Sequence, residues 1–447
     1  MSRKIIDETT ELQYEIKKTF GMSKTSTVPG LAYLPARNKE PKTAAQFLQS
    51  RRTIDGAEGL WRIENKLYDL ETFAKSHPGG SEWIRLTKGT DITELFESHH
   101  ITDKAERLLP KFFVREVTTP RSVPLTFLPD GFYRKFKKRA AEALKNVDFH
   151  RPSVVTNLIA DSLAIVTFAL SFAAAFVHSY AVIIPASLFL TWTVIAGHNY
   201  FHMRDNFRMY YFDLGMISSK NWRITHVMSH HMYTNTMWDY EIYVVEPFLQ
   251  WLPRENKSYL AGMISKLISP IVWILLSSVE GIKRYYAVFM EFGIIEFRDF
   301  VPLLLPLSMS LIAPNVFVGI KLWLLMMVLS SFFFGLIGFN AAHHHPDIFH
   351  DGDIYRNDMD WGLLEMDSVR DREVIDDSTF LALTHFGSHT LHHLLPTVDH
   401  YYLSLCMPAF LETCKEFNIS TEKWTQWKLL KGQFKQLARC NVKENHR

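Results

Sequence analysis

Cysteine is nearly missing from this chain of 447 residues. Cys406, Cys414 and Cys440 are too few and too scattered for a disulfide framework or a cysteine-bound zinc. A reducing, cytosol-facing setting is therefore expected. An excess of one charge is missing as well: 49 basic residues face 47 acidic ones, a net +2, which leaves no basic footprint for nucleic acid. No apolar run opens the chain, so no cleaved secretory signal is expected. There is no G-x-G-x-x-G stretch to hold a nucleotide cofactor, no C-x-x-C-H to attach a haem covalently, and no internal repeat.

The most informative absence is local. Ser162 to Met203 contains no Asp, Glu, Lys or Arg over 42 residues, and Phe300 to Pro346 is broken only by Lys321. About 20 apolar residues at 1.5 Å each cross a hydrocarbon core of about 30 Å. Each block therefore fits a hairpin of two spanning helices, turning near His178-Ser179-Tyr180 and Ala313-Pro314-Asn315. Between them, Leu267 to Val279 is apolar for only 13 residues and contains Pro270. That length predicts an interfacial or re-entrant segment. Basic residues crowd the ends away from the turns, the Arg134–Arg139 run RKFKKR above all, which places both termini and the 204–299 loop in the cytosol. The chain divides into a polar segment 1–45, a compact module 46–117, a basic linker 118–152 and a membrane part 153–447.

In the module, WRIENKLYDL reads as strand, turn, strand, and His77-Pro78-Gly79-Gly80 as a rigid turn. Proline fixes φ, and two glycines let a flat group approach the backbone beside a histidine.

Histidine is unevenly spread. Fourteen of 20 fall in windows 198–231, 343–350 and 385–400, little more than an eighth of the chain. His198 and His202 stand at i and i+4; His226, His230 and His231 at i, i+4 and i+5; His389, His392 and His393 at i, i+3 and i+4. Helical spacing puts each set on one face. The triplet His343-His344-His345 cannot aim all its rings at one metal, because successive side chains diverge by about 100°. His343 is the first choice and His345 the second, with His344 open. Two crossings between the first and last windows return all of them to one face. Eight or nine imidazoles exceed one structural zinc and suit two metals with open positions.

The HPGG turn after YDL-x-x-F, followed by KGTDITELFESHH, resembles the cytochrome b5 haem domain over residues 46–117. That resemblance implies haem b with His77 and His100 as axial ligands, Asp91, Thr93 and Phe96 setting the register and His99 as the rival. Two strong axial ligands make such a module an electron carrier. The three histidine windows, over about 153–410, resemble the membrane fatty acid desaturase and hydroxylase superfamily. The b5-first order resembles its b5-fused members, the insect cytochrome b5-related group included. The implied fold is an α+β haem domain followed by an all-α, four-span membrane domain. The implied centre is two non-haem irons held by His198, His202, His226, His230, His231, His343, His389, His392 and His393. The implied activity is oxygen-dependent desaturation of a fatty acyl lipid or acyl-CoA in the endoplasmic reticulum membrane, with cytochrome b5 reductase as electron source. Hydroxylation by the same centre is an alternative, as is an electron carrier without iron at the boxes.

The chain departs from the family's patterns at His389, where fused members often carry Gln, at Asn199, where an acid is common, and in the longer HxxxHH spacing. His350, His385 and His400 are expected to support ligands or lie at the surface. Asp360-Trp361 and Asp376-Asp377 are expected either to support the ligands or to lie in solvated loop, the latter preferred, and Phe332 to Phe334 in lipid-facing core.

Overall fold

The computed structural model describes residues 26–254 and 257–443. Thr43 accepts from Gln46 N and starts helix α1 (Ala44–Ile54). Strands β1 (Trp61–Ile63) and β2 (Lys66–Tyr68) pair antiparallel, and β3 (Phe113–Glu116) joins β2 from the other side. Between β2 and β3 lie the short helices α2 (Ser81–Leu86) and α3 (Thr93–His99). Trp61, Ile63, Tyr68, Leu70, Ile84 and Ile92 form this module's own core.

Helix α4 (Phe132–Ala143) carries the basic run and buries Phe132, Tyr133, Phe136 and Ala140 along one side. Its cations are largely committed within the protein. Arg134 and Lys137 pair with Glu97 of the module, and Lys135 and Arg139 with Glu416.

Helix α5 (Val154–Val177) begins at a Ser153 cap and ends where His178 turns left-handed at φ 55°. Helix α6 (Tyr180–His198) returns with a Ser179 cap and delivers His198 at its last turn. Helix α7 is Tyr259–Tyr286, helix α8 is Leu304–Ile312, and helix α9 is Val316–Gly338, capped by Asn315. Hydroxyl contacts tie the long helices together: Thr167 to Thr193 at 2.8 Å, and Thr191 to Ser330 at 3.0 Å. Such contacts suit helices with no water to satisfy their polar groups. Among the described residues, four helices are long and apolar enough to cross a membrane: Val154–Val177, Tyr180–His198, Tyr259–Phe292 and Val316–Gly338.

This corrects the expected second hairpin. Its first leg is no long helix; α8 has nine residues, preceded by a 3-10 turn at Phe297–Leu303. The 13-residue apolar run is instead the middle of α7, a continuous helix of 28 residues. A charge-free window misjudged it because Lys266, Glu280, Lys283 and Arg284 interrupt the window without breaking the helix. The apolar residues Leu260, Ile264, Leu267, Ile271, Leu275, Val279 and Ile282 recur at helical spacing on its exposed face.

Both ends of α7 meet elements on the histidine side. Gly262 lies against Leu437 and Ala438, in the helix that packs on His345. Arg284 donates to Asp213, just beyond His202, at 2.6 Å and to Asp299 at 3.0 Å. Mid-helix, Trp273 packs so closely on α9 that a Cβ at Gly335 would stand 2.5 Å from Trp273 Cβ.

The histidine face is closed by α10 (Trp361–Ser368), α11 (Thr379–His385), α12 (His389–Leu394), α13 (His400–Glu416) and α14 (Gln426–Ala438).

Candidate haem pocket and metal centre

The HPGG turn places His77 just before α2, and His100 follows the last residue of α3. Each ring is fixed by its Nδ1–H: His77 donates to Gly80 O and His100 to Phe96 O, both at 2.9 Å. Each therefore keeps Nε2 free. Burial pushes His100 down to about 4, so it is neutral with an open lone pair. The ring centres stand 6.3 Å apart. Two imidazoles on opposite sides of one metal, with bonds of about 2 Å, put their ring centres roughly 6 Å apart. The cavity around them measures about 500 Å³ and is walled by Leu70, Phe73, Phe96 and Phe112. These residues fit a bis-histidine haem. His99 points the other way, toward Trp83 and His202.

In the membrane part, the nine sequence-predicted histidines fall into two groups among the described residues. His198, His202, His226, His231 and His392 bring one nitrogen each within 4.8 Å of one another, and so do His230, His343, His389 and His393. The geometry fits a cation. His343 Nδ1–H donates to Ser368 O at 3.1 Å and His389 Nδ1–H to Phe386 O at 2.9 Å. Their Nε2 atoms therefore both present lone pairs, yet stand 2.7 Å apart, with His230 Nε2 3.2 Å from that of His343. In the other group, His226 Nδ1 meets Glu241 at 2.6 Å while its Nε2 lies 2.7 Å from that of His198. Neither ring nitrogen of His202 or His392 has any protein partner. Orphaned buried nitrogens facing each other are costly unless a metal takes the lone pairs.

Burial holds His202, His226, His231, His343, His389, His392 and His393 well below the usual histidine range, in the neutral form that a metal requires. His230 alone goes up, to about 9, because Asp239 and Glu241 outweigh its burial.

Three carboxylates that sequence reasoning missed hold these rings. Glu241 takes His226; Asp239 takes His230 at 2.9 Å; Glu365 takes His393 at 2.8 Å and is itself held by Thr234 Oγ1. Asp239 and Glu241 follow the second box by only eight and ten residues, which was the available signal.

Of the triplet, His343 alone reaches a group. His344 stacks on Trp251 at 3.7 Å, and His345 packs on Trp424. His350, His385 and His400 stay outside both groups. His400 donates to Asn199 Oδ1 at 2.6 Å, so the amide found where an acid is common orients a neighbour of His392.

Two expectations are overturned. Asp360 and Trp361 are buried, not solvated: Asp360 accepts from Gly362 N and Tyr133 N, and Trp361 donates to Met232 O. Asp376 is also buried and accepts from Ser388 N, while Asp377 is exposed. Phe334 faces inward against Phe212, Trp222 and Phe386. Local polarity misled in the first case and local hydrophobicity in the second. With Leu276, Gly338 and Phe386, Phe334 lines an apolar slot of about 90 Å³ that opens onto His226, His230, His343 and His389.

The family model described as fatty acid desaturase matches residues 172–423, more than half of the sequence. The chain belongs to the fatty acid desaturase family. A second model, the cytochrome b5-like haem/steroid binding domain, matches residues 45–118 of this desaturase-family chain. Family and domain together assign an oxidoreductase, with haem implied by the module and iron by the family. The chain is 41% identical over 407 residues to the cytochrome b5-related protein of Drosophila melanogaster, covering 90% of this chain and 93% of the relative. It is 24% identical over 427 residues to the probable Delta(5) fatty acid desaturase C of Dictyostelium discoideum (83% and 89% covered). It is 23% identical over 439 residues to the acyl-lipid (8-3)-desaturase of Physcomitrium patens (86% and 88%). No solved structure matches the chain.

Proposed function

We propose that this desaturase-family chain is an oxygen-dependent fatty acyl desaturase with its own electron donor. The observation that carries the reading is an apolar slot opening on two histidine groups whose facing lone pairs call for cations, beside a bis-histidine pocket of haem size. His77 and His100 would hold haem b. His198, His202, His226, His231 and His392 would hold one iron, and His230, His343, His389 and His393 the second. When bound, the haem supplies single electrons and the iron pair supplies the oxygen chemistry that attacks an unactivated C–H bond.

The protein's part is positional. Phe334, Leu276 and Phe386 exclude water and admit a methylene chain past the two groups. Glu241, Asp239 and Glu365 fix ring orientation, so that Nε2 points inward without rearrangement. Among the described residues neither main group includes a carboxylate, while Glu241 stands with His226 and His230 as a third group able to hold a metal, so Glu241 and the other ring-holding acids would offset the charge of any bound metals.

The contacts support one membrane arrangement. The turns at His178 and Pro314 share one end, where Lys321 lies over Tyr180. Helix α7 is long enough to span, but both its ends meet histidine-side elements, which supports placing it along the interface on the opposite, cytosolic face, its apolar stripe against lipid. Phe297–Ile312 forms the third crossing: seven 3-10 residues and nine helical ones extend about 28 Å. An endoplasmic reticulum location and cytochrome b5 reductase as electron source complete the proposal.

The test is a lipid profile by mass spectrometry from cells expressing the wild type or His392→Ala, with metal analysis of the purified proteins. A new double bond from the wild type alone, with three irons per chain including haem, is expected. Hydroxylated product would select the hydroxylase. One iron per chain and no product would leave an electron carrier.

A further inference from the structure

His99 stands between the haem pocket and the five-histidine group, facing away from the pocket's own axial pair. It is bonded through the peptide to His100. Its Nδ1 meets Ser98 Oγ at 2.9 Å, and its Nε2 is buried without a hydrogen-bond partner. Its ring centre lies 5.5 Å from that of Trp83 and 6.1 Å from that of His202, the latter at 32° between planes. His202 belongs to the five-histidine group, and His99 and His202 both wall the haem cavity. One imidazole therefore lines the haem cavity and neighbours a ring of the five-histidine group.

The contact is clamped in place. Glu82, at the start of α2, pairs with Arg223 at 2.6 Å and Arg298 at 2.8 Å, and Arg223 also lies over the Trp83 ring at 4.8 Å. Glu97, two residues before His99, pairs with Lys137 at 2.7 Å. Ser98 Oγ also reaches Met232 Sδ, beside His231. Arg223 is 1% exposed and Glu97 6%, so salt screens these pairs little.

We infer that His99 is the relay through which electrons pass from the haem to the five-histidine metal centre, running from His100 through the His99 ring to His202. The inference rests on the proposed function above. Each passage oxidises one ferrous haem to ferric and reduces one ferric iron of that centre to ferrous. No covalent bond changes and no proton moves. An external one-electron reductase restores the haem.

The experiment uses the purified full-length protein loaded with haem and ferric iron, without oxygen. A pulse of dithionite, less than one electron per chain, reduces the haem, and its absorbance is followed as the electron leaves. In the wild type, the haem should re-oxidise at a rate independent of protein concentration. His99→Leu should slow that phase by an order of magnitude or more, with haem spectrum, haem potential and iron content unchanged. His99→Phe, which keeps a ring, should recover most of the rate, whereas His99→Gln, which keeps polarity without a ring, should not. Wild-type rates in His99→Leu with both centres intact would overturn the relay. If His99→Leu loses a centre, His99→Gln carries the comparison, and a wild-type rate there overturns it equally. No re-oxidation phase in fully iron-loaded wild type would instead sink the metal reading on which the relay rests.

Discussion

Glu365 offers a perturbation whose effects on metal affinity and on stability differ. The side chain is fully buried on α10; one oxygen accepts from His393 Nδ1 and from Thr234 Oγ1, and the other has no partner. Removing such a ring-holding partner lowers metal affinity roughly 10–100-fold. In Glu365→Leu, His393 Nδ1 keeps Thr234 Oγ1 at 3.3 Å as a poor substitute. The loss should therefore fall near the lower limit, about tenfold or ~1.4 kcal/mol. Asp239→Ala should do worse. Asp239 holds His230 and also accepts from Asn235 N at 2.9 Å and Glu241 N at 3.0 Å, so ring and loop are released together. About hundredfold, or ~2.8 kcal/mol, is expected there. The metal-free protein should respond otherwise. Glu365→Leu deletes a buried oxygen with no partner together with one that accepts two bonds, so the gain and the loss offset and its stability should stay nearly level. Chelator competition against iron-loaded protein reads the first effect, and thermal unfolding of the metal-free form reads the second. Unaltered iron affinity in Glu365→Leu, or a smaller loss in Asp239→Ala than in Glu365→Leu, would refute the reasoning.

His77→Ala and His100→Ala should each abolish the six-coordinate haem spectrum, while His99→Ala keeps it; a normal spectrum from His100→Ala would reverse the ligand assignment. Gly338→Leu should block the slot, because an added Cβ meets nothing closer than 3.8 Å and the rest of the side chain projects into the lumen. Product should fall sharply with iron content unchanged, and full turnover of the same acyl chain would show that the chain binds elsewhere. Glycosylation sites inserted at 248–252 should stay unmodified, whereas sites at the His178 and Pro314 turns should be modified; sugar on the former would break the assigned topology.

The grouping of the histidines was more legible than the architecture. Spacing at i, i+3 and i+4 exposes candidate ligand pairs because such residues share a helical face, and the HPGG turn marks its histidine through backbone geometry. What a ring leans on leaves no such trace. Glu365 reaches His393 across 28 positions, and Ser368 reaches His343 across 25. The inward turn of Phe334 depends on Phe212 and Phe386, which arrive from distant segments. Helix α7 was misjudged because the absence of charge was used to set its length, whereas its apolar period runs on past Lys266 and Glu280. The direction of His99 against His100 was fixed in sequence only by resemblance; in the fold, the carbonyl of Phe96 and the ring of Trp83 pull the two apart.

The Glu82 clamp also has a consequence for trade with the rest of the cell. A free cytochrome must find its acceptor by diffusion, at a frequency set by its abundance. Here the donor already sits on Arg223 and Arg298, at an effective local concentration of order millimolar or above. Supply is thereby pinned at one donor per acceptor, whatever the cell's pool of soluble carriers. In the proposed function the same seat would be closed to a mobile cytochrome while the tethered module holds the place. A cell rich in its own carriers should gain nothing from them, and a chain whose module has lost its haem should find no substitute.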